Sequence, residues 1–270
     1  MAELLLELYS EEIPPQLQIG ARNQLKLLLE RSFEEKNIKH KDINIYSSPT
    51  RLSLLIKDLP SIIKIEAQEM KGPKVGSSND ILEGFTKAKS VLKKDLFEKI
   101  TDKGKFYFIK INSKNILVET LLKEILLKAL SSINWKKSMK WSSYNLMWGR
   151  PLRAILSIFD GKKLSFKFDH LETTDNVIVE KDLEIKSKKI KNFNEYNEFL
   201  KSHKILLDHK EREKIILKKI ISFSKLKGFR EIINPKLLEE VVNIVEDPNV
   251  LLVFFDKKYL EIPQEIIIST

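Results

Sequence analysis

A mixed α/β fold of the α+β kind is predicted, with a largely antiparallel sheet and packed helices followed by a helix-rich second module. Three observations predict it. Several short apolar runs come in pairs joined by tight turns, the arrangement of hairpins. Stretches with apolar residues at helical spacing separate those pairs. The last third of the chain is dominated by helical spacing, so strands and helices are partly segregated, as in α+β domains.

Leu4 to Tyr9 is expected to form a short buried strand that turns at Ser10, Glu11 and Glu12. Pro14 and Pro15 open a helix to about Lys36, where a missing N–H at the first position costs nothing. Its apolar face is Leu17, Ala21, Leu25, Leu28 and Phe33. Glu11 and Glu12 sit where a helix N-terminus favours negative charge. From Asn44 to Asp58 two strands flank a Ser-Ser-Pro-Thr turn; Arg51 begins the second, and Pro60 ends the pairing. QEMKGPKVGSSNDILEGF holds Gly72, Pro73 and Gly76 and is expected to be a loop. It lacks the Gly-Lys-Ser/Thr end of a P-loop.

Asp80 is the expected N-cap of a helix carrying Leu82, Phe85, Ala88 and Leu92. A hairpin turning at Asp102 to Gly104 follows, then a deeply packed helix from Ile116 to Ile133, and a second hairpin around Asp160 and Gly161. The lysine-rich, glycine-poor sequence after Glu180 places a boundary there, giving an N-terminal domain over 1–180 and a helix-rich module over 181–270. Helices are expected from Phe193 to Ser202, Asp208 to Leu226 and Pro235 to Val245, with a strand from Val250 to Phe255. The apolar ending QEIIIST is an association liability in a finished domain, so the module is expected to be truncated at its C-terminal end.

At 270 residues and 42% hydrophobic, the chain can bury a substantial core. No run approaches the roughly 20 apolar residues of a membrane span, and MAELLLELYSEE lacks the basic start of a signal peptide. A cytoplasmic protein with no membrane partner is expected. The absence of cysteine removes disulfides, thiolate nucleophiles and Cys-based metal sites. His40, His170, His203 and His209 show no zinc spacing, and no nucleophile elbow, HExxH, Rossmann or Walker motif is present. Asp208 beside His209 serves as a helix cap. No catalytic residue, metal site or cofactor is therefore expected in this chain.

The net charge of +10 favours polyanions. However, 41 Lys accompany only 7 Arg, the drift expected of an AT-rich genome. Arginine's planar fork cannot be replaced by lysine, so Arg51, Arg150 and Arg153 carry more weight than the lysine excess. The stretch from Trp135 to Phe168 holds all three tryptophans, Trp135, Trp141 and Trp148, together with Arg150 and Arg153. That density suits a nucleic-acid stacking surface or the core of an interface.

The run LLLELYSEEIPP resembles the opening of the beta subunit of bacterial tetrameric glycyl-tRNA synthetase. Further matches occur in the family's order: SPTRLSLLIKDL, KGPKV, KSMKW, RPLRAILSIFDGKKLSFKF and LEEVVNIVEDPNVLLVFFDKKYLEIPQEIIIST. The resemblance covers Glu3 to Thr270. After the second hairpin the chain departs from it, keeping Thr173 and Thr174 but lacking the Gly-His-Arg-Phe ending, and it stops where the family continues into an anticodon-binding region.

The resemblance implies an accessory, non-catalytic subunit of an ATP-dependent ligase. It binds and positions tRNA(Gly) and assembles with the catalytic alpha subunit as an alpha2beta2 tetramer; ATP and Mg are expected at the alpha subunit. The candidate tRNA contacts are Arg51, Lys71, Lys74, Lys137, Lys140, Arg150 and Arg153. In the alternative, the chain is a structural module or degenerate fragment that binds no RNA. Trp135, Trp141 and Trp148 are expected to serve subunit or core packing.

Overall fold

The computed structural model describes residues 2–65, 67–89, 91–111, 113–181 and 184–269. It forms two compact units, one of Met1–Pro60 with Leu122–Thr270 and one of Ser61–Leu121. The first begins with β1 (Ala2–Ser10), α1 (Pro15–Glu35), β2 (Ile43–Ser48) and β3 (Arg51–Leu59). The second contains β4 (Ile62–Ile65), β5 (Gln68–Lys74), α2 (Asn79–Lys89), β6 (Leu96–Thr101), β7 (Gly104–Ile111) and β8 (Lys114–Leu117). Helix α3 (Val118–Ser132) leads back into the first unit. There β9 (Leu152–Phe159), β10 (Lys162–Lys163), β11 (Lys167–Phe168), β12 (Leu171–Thr174), β13 (Asn176–Lys181) and β14 (Glu184–Lys189) precede α4 (Phe193–Ser202), α5 (His209–Lys227), α6 (Pro235–Ile244) and α7 (Gln264–Ser269).

The first unit is organised on β1. Its partners are both antiparallel, β3 on one side and β9 on the other, in the sheet order β11-β12-β9-β1-β3-β2 with β10 beside β9. The sheet is mixed because β12 pairs with β9 in parallel. Leu4, Leu5, Leu6 and Leu8 are all at most 1% exposed, so both faces of β1 are covered. Tyr46 and Ser47 are neighbours on β2 and therefore point to opposite faces. Tyr46 packs on the buried cluster of Leu5, Leu156, Val177, Tyr196 and Leu200. Ser47 instead bonds Gln18 and Arg22 of α1, which puts α1 on the other face.

Helix α1 is buried along Leu17, Ala21, Leu25, Leu29 and Phe33. Leu29 replaces the expected Leu28, a shift of one position around the helix. In the second unit β5, β7 and β6 form a three-stranded antiparallel sheet, and β4 pairs with β8. Strand β5 occupies the expected glycine-rich loop. Asp80 lies inside the first turn of α2, and Leu92 lies beyond the helix.

The boundary expected at residue 180 falls inside the first unit. Leu5, Leu156 and Ile158 share one buried cluster with Val177, Val179, Ile190, Tyr196 and Leu200. The lysine-rich stretch is a β13–β14 surface hairpin rather than a linker. The strand expected from Val250 to Phe255 does not form, because no sheet edge is paired with it; Leu251 and Val253 are 72% and 79% exposed.

Candidate functional site

Four segments that are distant in sequence meet at one open cleft of about 580 Å³. Its walls include Glu11, Glu12, Pro14, Pro49, Arg150 and Asn243. Backbone bonds fix the walls: Glu11 N–H donates to Pro151 O at 3.0 Å, Ser10 N–H to Thr50 O at 2.9 Å and Ile13 N–H to Pro49 O at 2.6 Å. The Gln18 side-chain amide donates to the carbonyls of Ile13 and Asn243, at 2.8 and 2.7 Å. It thereby ties α6 to the turn that enters α1. Thus the Glu-Glu-Ile-Pro-Pro turn, the Ser-Pro-Thr-Arg turn, the Gly-Arg-Pro segment and the end of α6 are held together.

Beside the cleft lies a buried ionic cluster. Arg51 and Glu7 are each 2% exposed, and Arg51 Nε donates to Glu7 Oε2 at 3.1 Å. The same guanidinium donates to Thr50 Oγ1 at 2.7 Å and Ile178 O at 2.5 Å, and Glu246 stands 3.7 Å away. Tyr196 donates its hydroxyl to Glu7 Oε2 at 2.5 Å, 2.8 Å from Ser53 Oγ. Burial pushes the Glu7 carboxyl up; Arg51 and Tyr196 oppose that shift. Burial also opposes the Arg51 charge, but Glu7, Tyr196 and Glu246 outweigh it and raise the guanidinium's pKa. Buried ions persist only when paired and hydrogen-bonded in this way.

Two further arginines are buried without a carboxylate within 4 Å among the described residues. Arg22 bonds Ser47 and Asn243. Arg212 donates to Val242 O, Leu206 O, Leu207 O and Ser47 O. Burial lowers both to about 10; Glu239 and Asp208 oppose the shift at Arg22, and the nearby Arg22 charge lowers Arg212 further.

His209, at the start of α5, is held down to about 4, first by burial and then by Arg22. It is neutral in the folded protein, whereas an unfolded histidine has a pKa near ~6.5. The unfolded state therefore binds more protons between about pH 6.5 and 4, and the stability present above 6.5 is lost as pH falls through that window. The expected loss is on the order of 1–2 kcal/mol after discounting for the ring's partial exposure. Urea unfolding at pH 7 and pH 5 checks this: His209→Gln must flatten the difference, and an unaltered pH slope contradicts the assignment.

The structure separates the sequence-predicted cations. Arg51 is corrected from RNA contact to structural ion pair, because both faces of β3 are covered and its fork points inward. Arg150 is half-buried on the cleft wall, donating to Gly149 O at 2.8 Å. Arg153 is exposed and bridges Glu11 at 3.5 Å and Glu180 at 2.5 Å. Both it and Arg51 stand over the Tyr9 ring. Lys137 and Lys140 are exposed on the irregular segment before β9, and Lys71 and Lys74 are exposed on β5 of the second unit. Glu7, Tyr196, Glu246, Gln18, Arg22 and Arg212 were missed. The rarity of arginine was the one available signal for the last two.

Trp148 is 2% exposed, with its ring 4.9 Å from Trp135 and 5.7 Å from Phe168. A Cβ on Gly149 would lie 2.5 Å from the Trp135 ring, so glycine is what allows the indole to lie across the backbone. Trp135 is 9% exposed, and its Nε1 has no hydrogen-bond partner among the described residues. Trp141 is half-buried, edge-on to His170, while Tyr144 stacks on the same imidazole at 3.5 Å. Among the described residues no group of His, Asp and Glu is placed to hold a metal, and no helix is long and apolar enough to cross a membrane.

A family model described as "Glycyl-tRNA synthetase beta subunit" matches residues 4–270. Similar curated proteins named "Glycine--tRNA ligase beta subunit" come from Rickettsia canadensis, 34% identical over 270 residues, and Rickettsia prowazekii, 34% identical over 269 residues. A third with that name, from Rickettsia felis, is 33% identical over 273 residues. Each alignment takes in 100% of this chain but only 40–41% of the relative. The chain thus spans about two fifths of the length of the curated relatives it matches. The four segments that build the cleft all lie within the matched residues, and the chain belongs to the glycyl-tRNA synthetase beta subunit family.

Proposed function

We propose that the chain contributes to a glycine–tRNA ligase as a non-catalytic part of its beta subunit, binding and positioning tRNA(Gly) and assembling with an alpha subunit. Glycine activation, with ATP and Mg, then belongs to the alpha subunit, and the assembly works in the cytoplasm. The family match over residues 4–270 carries this reading. The cleft supports it, because Arg150 lies on its wall and Arg153 pairs with Glu11 beside it. Such cations fix the position of a phosphate backbone without reading sequence. The burial of Trp135 and Trp148 favours packing for those two indoles over base stacking.

Arg150→Ala combined with Arg153→Ala is expected to lower the slope of log affinity for tRNA(Gly) against log salt by about 1.4–1.8, as loss of two phosphate contacts requires. Filter binding across a salt series measures it. A slope and affinity equal to those of the unaltered chain remove the tRNA contact from this cleft.

A further inference from the structure

The Lys-Gly-Pro-Lys run of the second unit forms a β-bulge that sets two cations on one face of the sheet. Lys71 pairs with Phe108 and Lys74 pairs with Phe106. Three steps along β5 therefore oppose two along β7, which is one extra residue. In a regular strand, positions three apart point to opposite faces. With the extra residue, both lysines share the face of Phe106 and Phe108, since directly paired residues lie on the same side.

The side chains agree with that register. Lys71 Nζ stands 3.4 Å from the Phe106 ring centroid. The Lys74 stem crosses Gly104, two residues before Phe106, at 3.4 Å from where a Cβ would be. Lys99 pairs with Phe106 from the other side and stands over Phe108, with Glu69 2.5 Å from its ammonium. Among the described residues no carboxylate lies within 4 Å of Lys71 or Lys74, and both are exposed.

The bulge residues suit this use. A Cβ on Gly72 would meet the Phe85 ring at 2.8 Å and Tyr107 O at 3.1 Å, so α2 and β7 leave room only for glycine there. Pro73 offers no N–H, which a bulge tolerates and a regular ladder does not.

We propose that this face of the β5–β7–β6 sheet, with Lys71 and Lys74 along its β5 edge, is a landing surface for the phosphodiester backbone of RNA. The proposal rests on the tRNA-binding reading above and gives it a location in the second unit. The two lysines are spaced by two residues of β7, about 6.6 Å along the strand, and each meets one phosphate as a point charge. Phe106, half-buried and paired with Lys74, carries the Lys71 ammonium over its ring and so holds that cation on this face.

The test compares Lys71→Ala with Lys74→Ala against Lys87→Ala with Lys89→Ala. The second pair removes the same charge from the exposed face of α2 in the same unit. With the 270-residue chain and a tRNA(Gly) transcript, the sheet pair is expected to lower the salt slope by about 1.4–1.8; the helix pair leaves it unchanged. Restoring charge with Lys71→Arg and Lys74→Arg recovers the slope. Equal losses from both pairs, or no loss from the sheet pair, overturn the proposal. Unchanged tRNA binding with loss of alpha-subunit binding also overturns it and assigns the face to a protein. If Arg150→Ala with Arg153→Ala weakens binding but the sheet pair does not, this location fails and the tRNA reading stands. No salt-dependent binding by the unaltered chain removes both.

Discussion

Arg51→Met is expected to destabilise the first unit by about 3–5 kcal/mol, the effect of breaking a buried ion pair from one side. Methionine fills much of the volume but leaves the Glu7 carboxyl buried, with Tyr196 as its hydrogen-bond partner. Thr50 Oγ1 and Ile178 O lose their donor at the same time. In a domain of this size that corresponds to a fall of roughly 10 °C in Tm. Adding Glu7→Gln to Arg51→Met removes the orphaned charge and should recover part of the loss. Thermal and urea unfolding of the two variants decide it. A loss below about 1 kcal/mol, or no recovery in the double variant, contradicts the assigned role.

The second large effect is expected at Arg212. Its fork satisfies carbonyls from α6, from the segment before α5 and from β2, with bonds of 2.5–3.0 Å. Arg212→Leu leaves four acceptors without this donor. At about 1–3 kcal/mol for each acceptor left dry, the loss is about 2–6 kcal/mol even if water reaches half of them. Arg212→Lys is expected to recover only a minor share, because one ammonium cannot span four carbonyls held in different directions. Equal stability of the lysine variant and the unaltered chain would show that charge, rather than the fork, is what matters.

These two residues show what sequence could and could not resolve. Helices α1, α3, α4, α5 and α6 were legible because apolar residues recur at helical spacing, and Pro15 and Asp208 mark the starts of α1 and α5. The β2–β3, β6–β7 and β9–β10 hairpins were legible from their turns. Strand β14 was not, because all of EIKSKK is exposed and no alternation exists to find. Strand β5 was hidden by Gly72 and Pro73, which ordinarily mark a loop and here build a bulge.

Weighting arginine in a lysine-rich chain found Arg51, Arg150 and Arg153 but could not sort them. Strand β3 is buried on both faces, so the parity of position 51 holds no information about exposure. Nor could it place Glu7 and Tyr196 together, 189 positions apart. The second unit was invisible as an insertion, since nothing in composition changes at Pro60 or Leu122.

The place of β1 at the centre of the sheet also sets a schedule for synthesis. As the chain is made, β1 can pair with β3 early, but its other edge waits for β9, whose partners for Leu4 and Tyr9 are Phe159 and Ala154. At about 5–20 residues per second, the roughly one hundred residues between β3 and the end of β9 take 5–20 seconds. During that interval the row of unpaired amide and carbonyl groups along β1 is open to other chains. The intervening unit, Ser61–Leu121, has its own sheets and can complete them while β1 waits, so the nascent chain passes through a state with one finished unit and one half-built sheet.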